Sequence, residues 1–280
     1  MSIAINSCKW QPVLFIPLVI TTAALLALYF PFLQTMAAEW GTNKDYSHGY
    51  FIPALVLYMI YSLKDKLVET PVKPSSSGII LVILGLCVLL AAKIGTEYFL
   101  QRTSLIIVLL GFVLFLFGRK WTRLLLIPIL YLIFMIPLPA IIWNKVAFPL
   151  QLFGSSLTEH VVRLLGIPIF REGNVLHLAE TTLEVVAACS GLRSLVTMFA
   201  MSTLLVWFSS GSPAKKWLLF FSAAPAAIFA NIIRLTTTAL LASKMGAEVA
   251  NGFLHDFSGL VTFVIGFCIL LIMNKFLANR

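Results

Sequence analysis

The sequence predicts an all-α integral membrane protein: a polytopic bundle of about eight transmembrane helices with a small extracytoplasmic helix and hairpin segment at about 139–188. Composition is the first observation behind this. Of 280 residues, 60% are hydrophobic and 11% charged, and the mean hydropathy is +0.99, whereas soluble domains are about half apolar. The second is the recurrence of apolar runs near the length of a bilayer crossing, about 20 residues at 1.5 Å of rise each. The third is the distribution of basic residues between those runs, which follows the positive-inside rule.

The runs fall at about 12–34, 48–63, 78–95, 103–117, 122–138, 190–208, 217–241 and 257–274. The first follows Lys9 and has no small-residue cleavage site closing it, so it reads as a retained span. The second and fourth are short. With the amino terminus in the cytoplasm, the inside loops carry Lys64, Lys66 and Lys73, then Arg119, Lys120 and Arg123, then Lys215 and Lys216. Lys275 and Arg280 mark the carboxyl tail as inside too, while outer loops carry isolated cations such as Lys44 and Arg102. The net charge of +9 is therefore spent on topology, and nucleic acid is not an expected partner.

The stretch 139–188 must begin and end outside. Residues 142–165 mix apolar positions with Asn144, Lys145, Glu159, His160 and Arg163 on a helical period, which predicts an interfacial amphipathic helix; a pair of extra crossings is the alternative. Beyond Pro168, Val175-Leu176-His177-Leu178 alternates, Gly173-Asn174 supplies a turn, and Leu183 to Val186 is apolar and β-branched, so a hairpin is expected. There are no internal repeats, and residues 1–280 read as one domain.

Four cysteines stand alone, without the spacing of a zinc site or a disulfide framework. Cys87 and Cys268 lie within apolar runs and are expected to be buried; Cys8 precedes the first. Cys189 lies at the outer start of the sixth run, where a helix dipole and nearby Arg193 favour thiolate. Arg234, in the seventh run, is costly in a membrane and lies about 27 Å of helix beyond Lys216, near the outer boundary, with Asn231 one turn earlier. His255, followed by Asp256, opens the eighth run on the same side and can exchange protons near neutral pH. A thiol, a guanidinium and an imidazole from three segments thus converge at one depth, as nucleophilic catalysis requires. Glu184 is a candidate brace for Arg193 or Arg234, and His48 a candidate at a substrate entrance; His160 and His177 are expected to face solvent or headgroups. No nucleotide, zinc-protease or serine-esterase motif occurs.

Glu184 through Leu195, reading Glu-Val-Val-Ala-Ala-Cys-Ser-Gly-Leu-Arg-Ser-Leu, resembles the signature of the exosortase and archaeosortase family. Asn231-Ile232-Ile233-Arg234 and His255-Asp256-Phe257-Ser258-Gly259 are similar to its arginine and histidine motifs, and Asp45-Tyr46-Ser47-His48-Gly49 to its early loop. The resemblance implies a bacterial inner-membrane cysteine protease or transpeptidase, with both termini cytoplasmic and the site periplasmic. Its substrates would be exported proteins ending in a short motif such as Pro-Glu-Pro, a membrane helix and a basic cluster. It implies Cys189 as nucleophile, Arg234 as transition-state stabiliser and His255 as general acid and base. No cofactor and no metal are expected; membrane lipid and the exported substrates are the expected partners. The alternatives are a multi-spanning transporter, or a non-catalytic assembly factor for polysaccharide export.

Overall fold

The computed structural model describes residues 12–179, 181–186, 189–246 and 253–278, with side chains described throughout these except at 12–18, 245, 253–257 and 278. The chain divides into two compact units, 1–139 and 140–280.

In the first unit, α1 (Pro12–Thr42) leads through a 3-10 turn (Lys44–Tyr50) into α2 (Phe51–Ser62) and the short α3 (Lys64–Glu69). Then follow α4 (Ser77–Ile94), α5 (Tyr98–Leu116) and α6 (Arg119–Tyr131), the last ending in a 3-10 turn at Leu132–Met135. α4 and α5 form a close antiparallel hairpin. A Cβ on Gly111 would lie 2.7 Å from the backbone nitrogen of Val82, so a hydrogen there lets the two backbones approach. This is the small-residue packing that membrane helices use where burial of apolar surface supplies no driving force.

α5 starts five residues before the run read from the sequence, and the polar residues Gln101, Arg102 and Ser104 near its start are buried. Gln101 Nε2 donates to the Ala92 carbonyl at 3.0 Å, and Tyr29 and Ser104 share a hydrogen bond of 2.8 Å. Arg102, expected as an isolated outer cation, is 5% exposed and donates to Glu39 of α1 at 2.6 Å.

The second unit begins with α7 (Ala140–Leu164), whose buried face, from Trp143 through Ala147, Gln151, Ser155 and Thr158 to Val162, keeps the three-and-four spacing expected of the amphipathic segment. Next come β1 (Ile169–Glu172), β2 (Val175–Leu178) and β3 (Thr182–Glu184), an antiparallel sheet in the order β1-β2-β3. The turn at Gly173-Asn174 joins β1 to β2, and the apolar stretch from Leu183 adds a third strand to the hairpin that the sequence predicts. The chain closes with α8 (Leu192–Phe208), α9 (Pro213–Phe221), α10 (Ala223–Met245) and α11 (Phe253–Ala278).

α10 organises this unit by belonging to two cores. Its amino-terminal half supplies Ala223, Ala226 and Ala227 to a cluster with Met198 and Leu270. Its carboxyl-terminal half supplies Leu235, Ala239 and Ala242 to a cluster with the sheet residues Leu176, Leu178 and Val185. Asn231 and Arg234 sit between these stretches, where the helix's buried face turns polar.

All eight runs contain helix, and the chain is an all-α polytopic membrane protein with one small sheet. Among the described residues, five segments are long and apolar enough to cross a bilayer: Val19–Thr42, Ser77–Ile94, Tyr98–Leu116, Pro213–Lys244 and Ser258–Leu277. The number is six if Arg119–Met135 and Ala140–Leu164 make one broken span. The weak second run is a helix of 12 residues, about 18 Å long against a core of about 30 Å. Cys87 and Cys268 are not buried within the fold as expected: both are exposed on outward helix faces, where an apolar run meets lipid rather than protein.

Candidate active site

Backbone hydrogen bonds hold the chain near Cys189, between β3 and α8. The Val186 amide donates to the Glu184 carbonyl at 3.1 Å, and the Cys189 amide to the Val186 carbonyl at 2.8 Å. Two residues on, Gly191 caps α8 in the left-handed region at φ 83°. A side chain is excluded there twice over: the conformation disfavours it, and a Cβ would lie 2.9 Å from Asn231 Cγ and 3.0 Å from its Nδ2. The bare backbone lets α10 come close enough for Asn231 Nδ2 to donate to the Cys189 carbonyl at 3.1 Å. Asn231, 3% exposed, is therefore a clamp on the backbone of the cysteine.

One turn further along α10, Arg234 brings its charge and a hydrogen bond to the Cys189 thiol, and Arg193 in the first turn of α8 adds a second positive charge. Burial nevertheless outweighs these, and the thiol titrates above its ordinary range. The expectation that the helix dipole and Arg193 leave a resting thiolate is corrected by this: taking the sulfur out of water costs its charged form more than the cations return. Arg234 also keeps a spare donor, since its Nη2 is buried with no hydrogen-bond partner among the described residues. Asn231 Oδ1 is a buried acceptor in the same condition.

The thiol and guanidinium line a cavity of about 450 Å³. The lining also takes in the continuous stretch from Thr182 to Val186, Leu235 and Thr238 of α10 and Ser258 of α11. Glu184 is part of this lining, but it is exposed, and no ion pair joins it to Arg234 among the described residues. His255 and Asp256 belong to the first turn of α11, and their side chains lie outside the described residues. Ser258, one turn on from His255, lines the cavity.

His48 belongs to the other unit. Its Nε2 lies 3.0 Å from the Phe134 carbonyl, and Tyr46 Oη donates to the Leu138 carbonyl at 3.4 Å, so this early loop braces the 134–138 segment. Burial pushes the Tyr46 hydroxyl up to about 12. His160 is exposed and hydrogen-bonds the Ser156 carbonyl, and the partly exposed His177 lies 3.7 Å from Glu172. Of the residues anticipated for the site, the fold thus gathers Cys189, Arg234, Arg193, Asn231 and Glu184 in one unit. It adds Gly191, Thr238 and Ser258, of which Gly191 and Ser258 fall within the cysteine and histidine motifs and Thr238 left no signal in the sequence.

These features define a polytopic membrane protein that holds one cysteine beneath an arginine at the wall of a cavity. The chain matches the transmembrane exosortase family over residues 40–272, and it belongs to that family. Membership supports a membrane protease or transpeptidase role in the broad sense. No curated protein and no solved structure matches it.

Proposed function

We propose that the chain is an inner-membrane cysteine endopeptidase or transpeptidase that cleaves a carboxyl-terminal sorting signal from exported proteins at the periplasmic face. The observation that carries this reading is the contact of Arg234 with the Cys189 thiol in the cavity lining, with one guanidinium nitrogen unpaired among the described residues. An arginine buried beside a cysteine has little structural purpose, since a buried charge costs several kcal/mol; it suits a site where negative charge develops during reaction.

In this mechanism the substrate's membrane helix lies among the spans, its basic cluster stays in the cytoplasm, and the motif emerges at the depth of Cys189. The Cys189 proton passes to His255, and the sulfur attacks the scissile carbonyl, forming an S–C bond. Arg234 Nη2 stabilises the oxyanion. The C–N bond then breaks, His255 returns the proton to the leaving amine, and a thioester remains. Water or an acceptor amine displaces the sulfur. A resting thiol suits this sequence, because the imidazole provides the base when substrate arrives.

The test is co-expression with a tagged exported protein carrying a Pro-Glu-Pro motif, an apolar helix and an arginine cluster. Wild type shortens the substrate on a gel, and Cys189→Ala leaves it full length. Processing unchanged in Cys189→Ala refutes the mechanism.

A further inference from the structure

We infer that the substrate's scissile segment binds as an added β-strand along the free edge of β3, recognised there through its backbone. The inference rests on the proposed protease reading and concerns how a peptide is held. β3 is the last strand of the sheet, and its partner β2 lies on one side only. Val185 donates to the Asn174 carbonyl and Leu178 to the Thr181 carbonyl, which fixes the alternation. In an antiparallel pair every second residue turns its backbone groups toward the partner strand. Residues 181, 183 and 185 therefore face β2, and the amides of Thr182 and Glu184 face away. Neither outward amide has a hydrogen-bond partner among the described residues.

That open edge borders the cavity: Thr182 through Val186 all line it, as does Cys189. With about 3.3 Å of rise per residue, β3 offers about 10 Å of edge, enough to pair roughly three residues of an extended peptide. An unpaired edge invites pairing, and this one lies beside a cavity lined by the candidate nucleophile. Backbone pairing supplies affinity without reading side chains, and it presents successive carbonyls at fixed spacing. Arg234 lines the same cavity, and its Nη2, without a hydrogen-bond partner among the described residues, is a donor for one such carbonyl.

Proline discriminates this geometry, because it removes an amide proton and is tolerated at an edge position facing away from the ladder. Thr182→Pro and Glu184→Pro each delete one outward donor; Thr182→Ala and Glu184→Ala remove the side chains and keep it. Each is read in the full-length protein, by processing of the tagged substrate and by alkylation of Cys189 with iodoacetamide. The expected result is a loss of processing of about tenfold or more in each proline variant relative to the alanine variant at the same position, with alkylation near wild type in both proline variants. Proline variants that process normally overturn the inference. So do alanine variants that lose as much as the prolines, which would assign the effect to side chains. Loss of alkylation in both proline variants overturns it too, since the edge would then belong to the fold. Normal processing in the proline variants alongside none in Cys189→Ala removes the strand model and leaves the protease reading intact; processing in Cys189→Ala removes that reading itself.

Discussion

Gly191→Ala attacks the candidate site through its backbone, and its cost can be worked from two separate terms. The first is conformational. At φ 83° a Cβ crowds the following carbonyl, which costs about 1–2 kcal/mol. The second is a collision: the new methyl would sit 2.9–3.0 Å from the Cγ, Cβ and Nδ2 atoms of Asn231, so that side chain must move. Its bond to the Cys189 carbonyl is then lost, leaving a buried acceptor unpaired at about 1–3 kcal/mol. Gly173→Ala is the control, because Gly173 is also left-handed, at φ 62°, but an added methyl there would meet nothing within 4 Å. It incurs the first term only. Thermal unfolding in detergent should rank wild type above Gly173→Ala above Gly191→Ala, and Cys189 alkylation should change in the last alone. Adding Asn231→Ala to Gly191→Ala removes the Cγ and Nδ2 contacts and leaves only that with Cβ, so the double variant loses less than the two single losses combined. Equal melting of the two glycine variants, with unaltered alkylation, would refute the clamp.

Charge at the thiol gives a second expectation. Arg234 opposes the burial that raises the Cys189 titration, so Arg234→Gln moves it further up, and iodoacetamide alkylation at a fixed pH slows, recovering only at higher pH. Every pH unit of rise removes tenfold of the thiolate; a faster reaction in Arg234→Gln contradicts the assignment. The same variant should lower processing by about 100- to 1000-fold, the effect of losing an oxyanion donor. In intact membranes a water-soluble maleimide should label Cys189 from the periplasm and spare Cys87 and Cys268, whose exposed faces lie in apolar helices; labelling only from the cytoplasmic side reverses the topology. In the first unit, Glu39→Gln should destabilise more than Arg102→Met, because it leaves the 5%-exposed guanidinium without its partner, whereas the second leaves a half-exposed carboxylate to water. Detergent melting curves in the opposite order would show that the pair does not govern this packing.

Read alone, the chain already displays its helical segments and the three motifs that carry Cys189, Arg234 and His255. Those properties are local. Apolar length and basic bias act along the chain, so they survive being read without partners. The sheet was legible in outline: the Gly173-Asn174 turn, the alternation at 175–178 and the apolar stretch 183–186 marked a hairpin, but β1 and the three-stranded order arise from pairing with β2, which a four-residue strand does not announce by itself. Arg102 looked like an ordinary outer cation because its meaning lies in Glu39, 63 positions away. Asn231 stood out only as a neighbour of Arg234; its bond to the Cys189 carbonyl exists because Gly191 lets α10 approach. The state of the thiol was decided the same way. Sequence offered the dipole and the arginines, which favour thiolate, while the tertiary structure added desolvation, which outweighs them. Burial and hydrogen-bond satisfaction depend on which distant segments meet, and that is settled by packing.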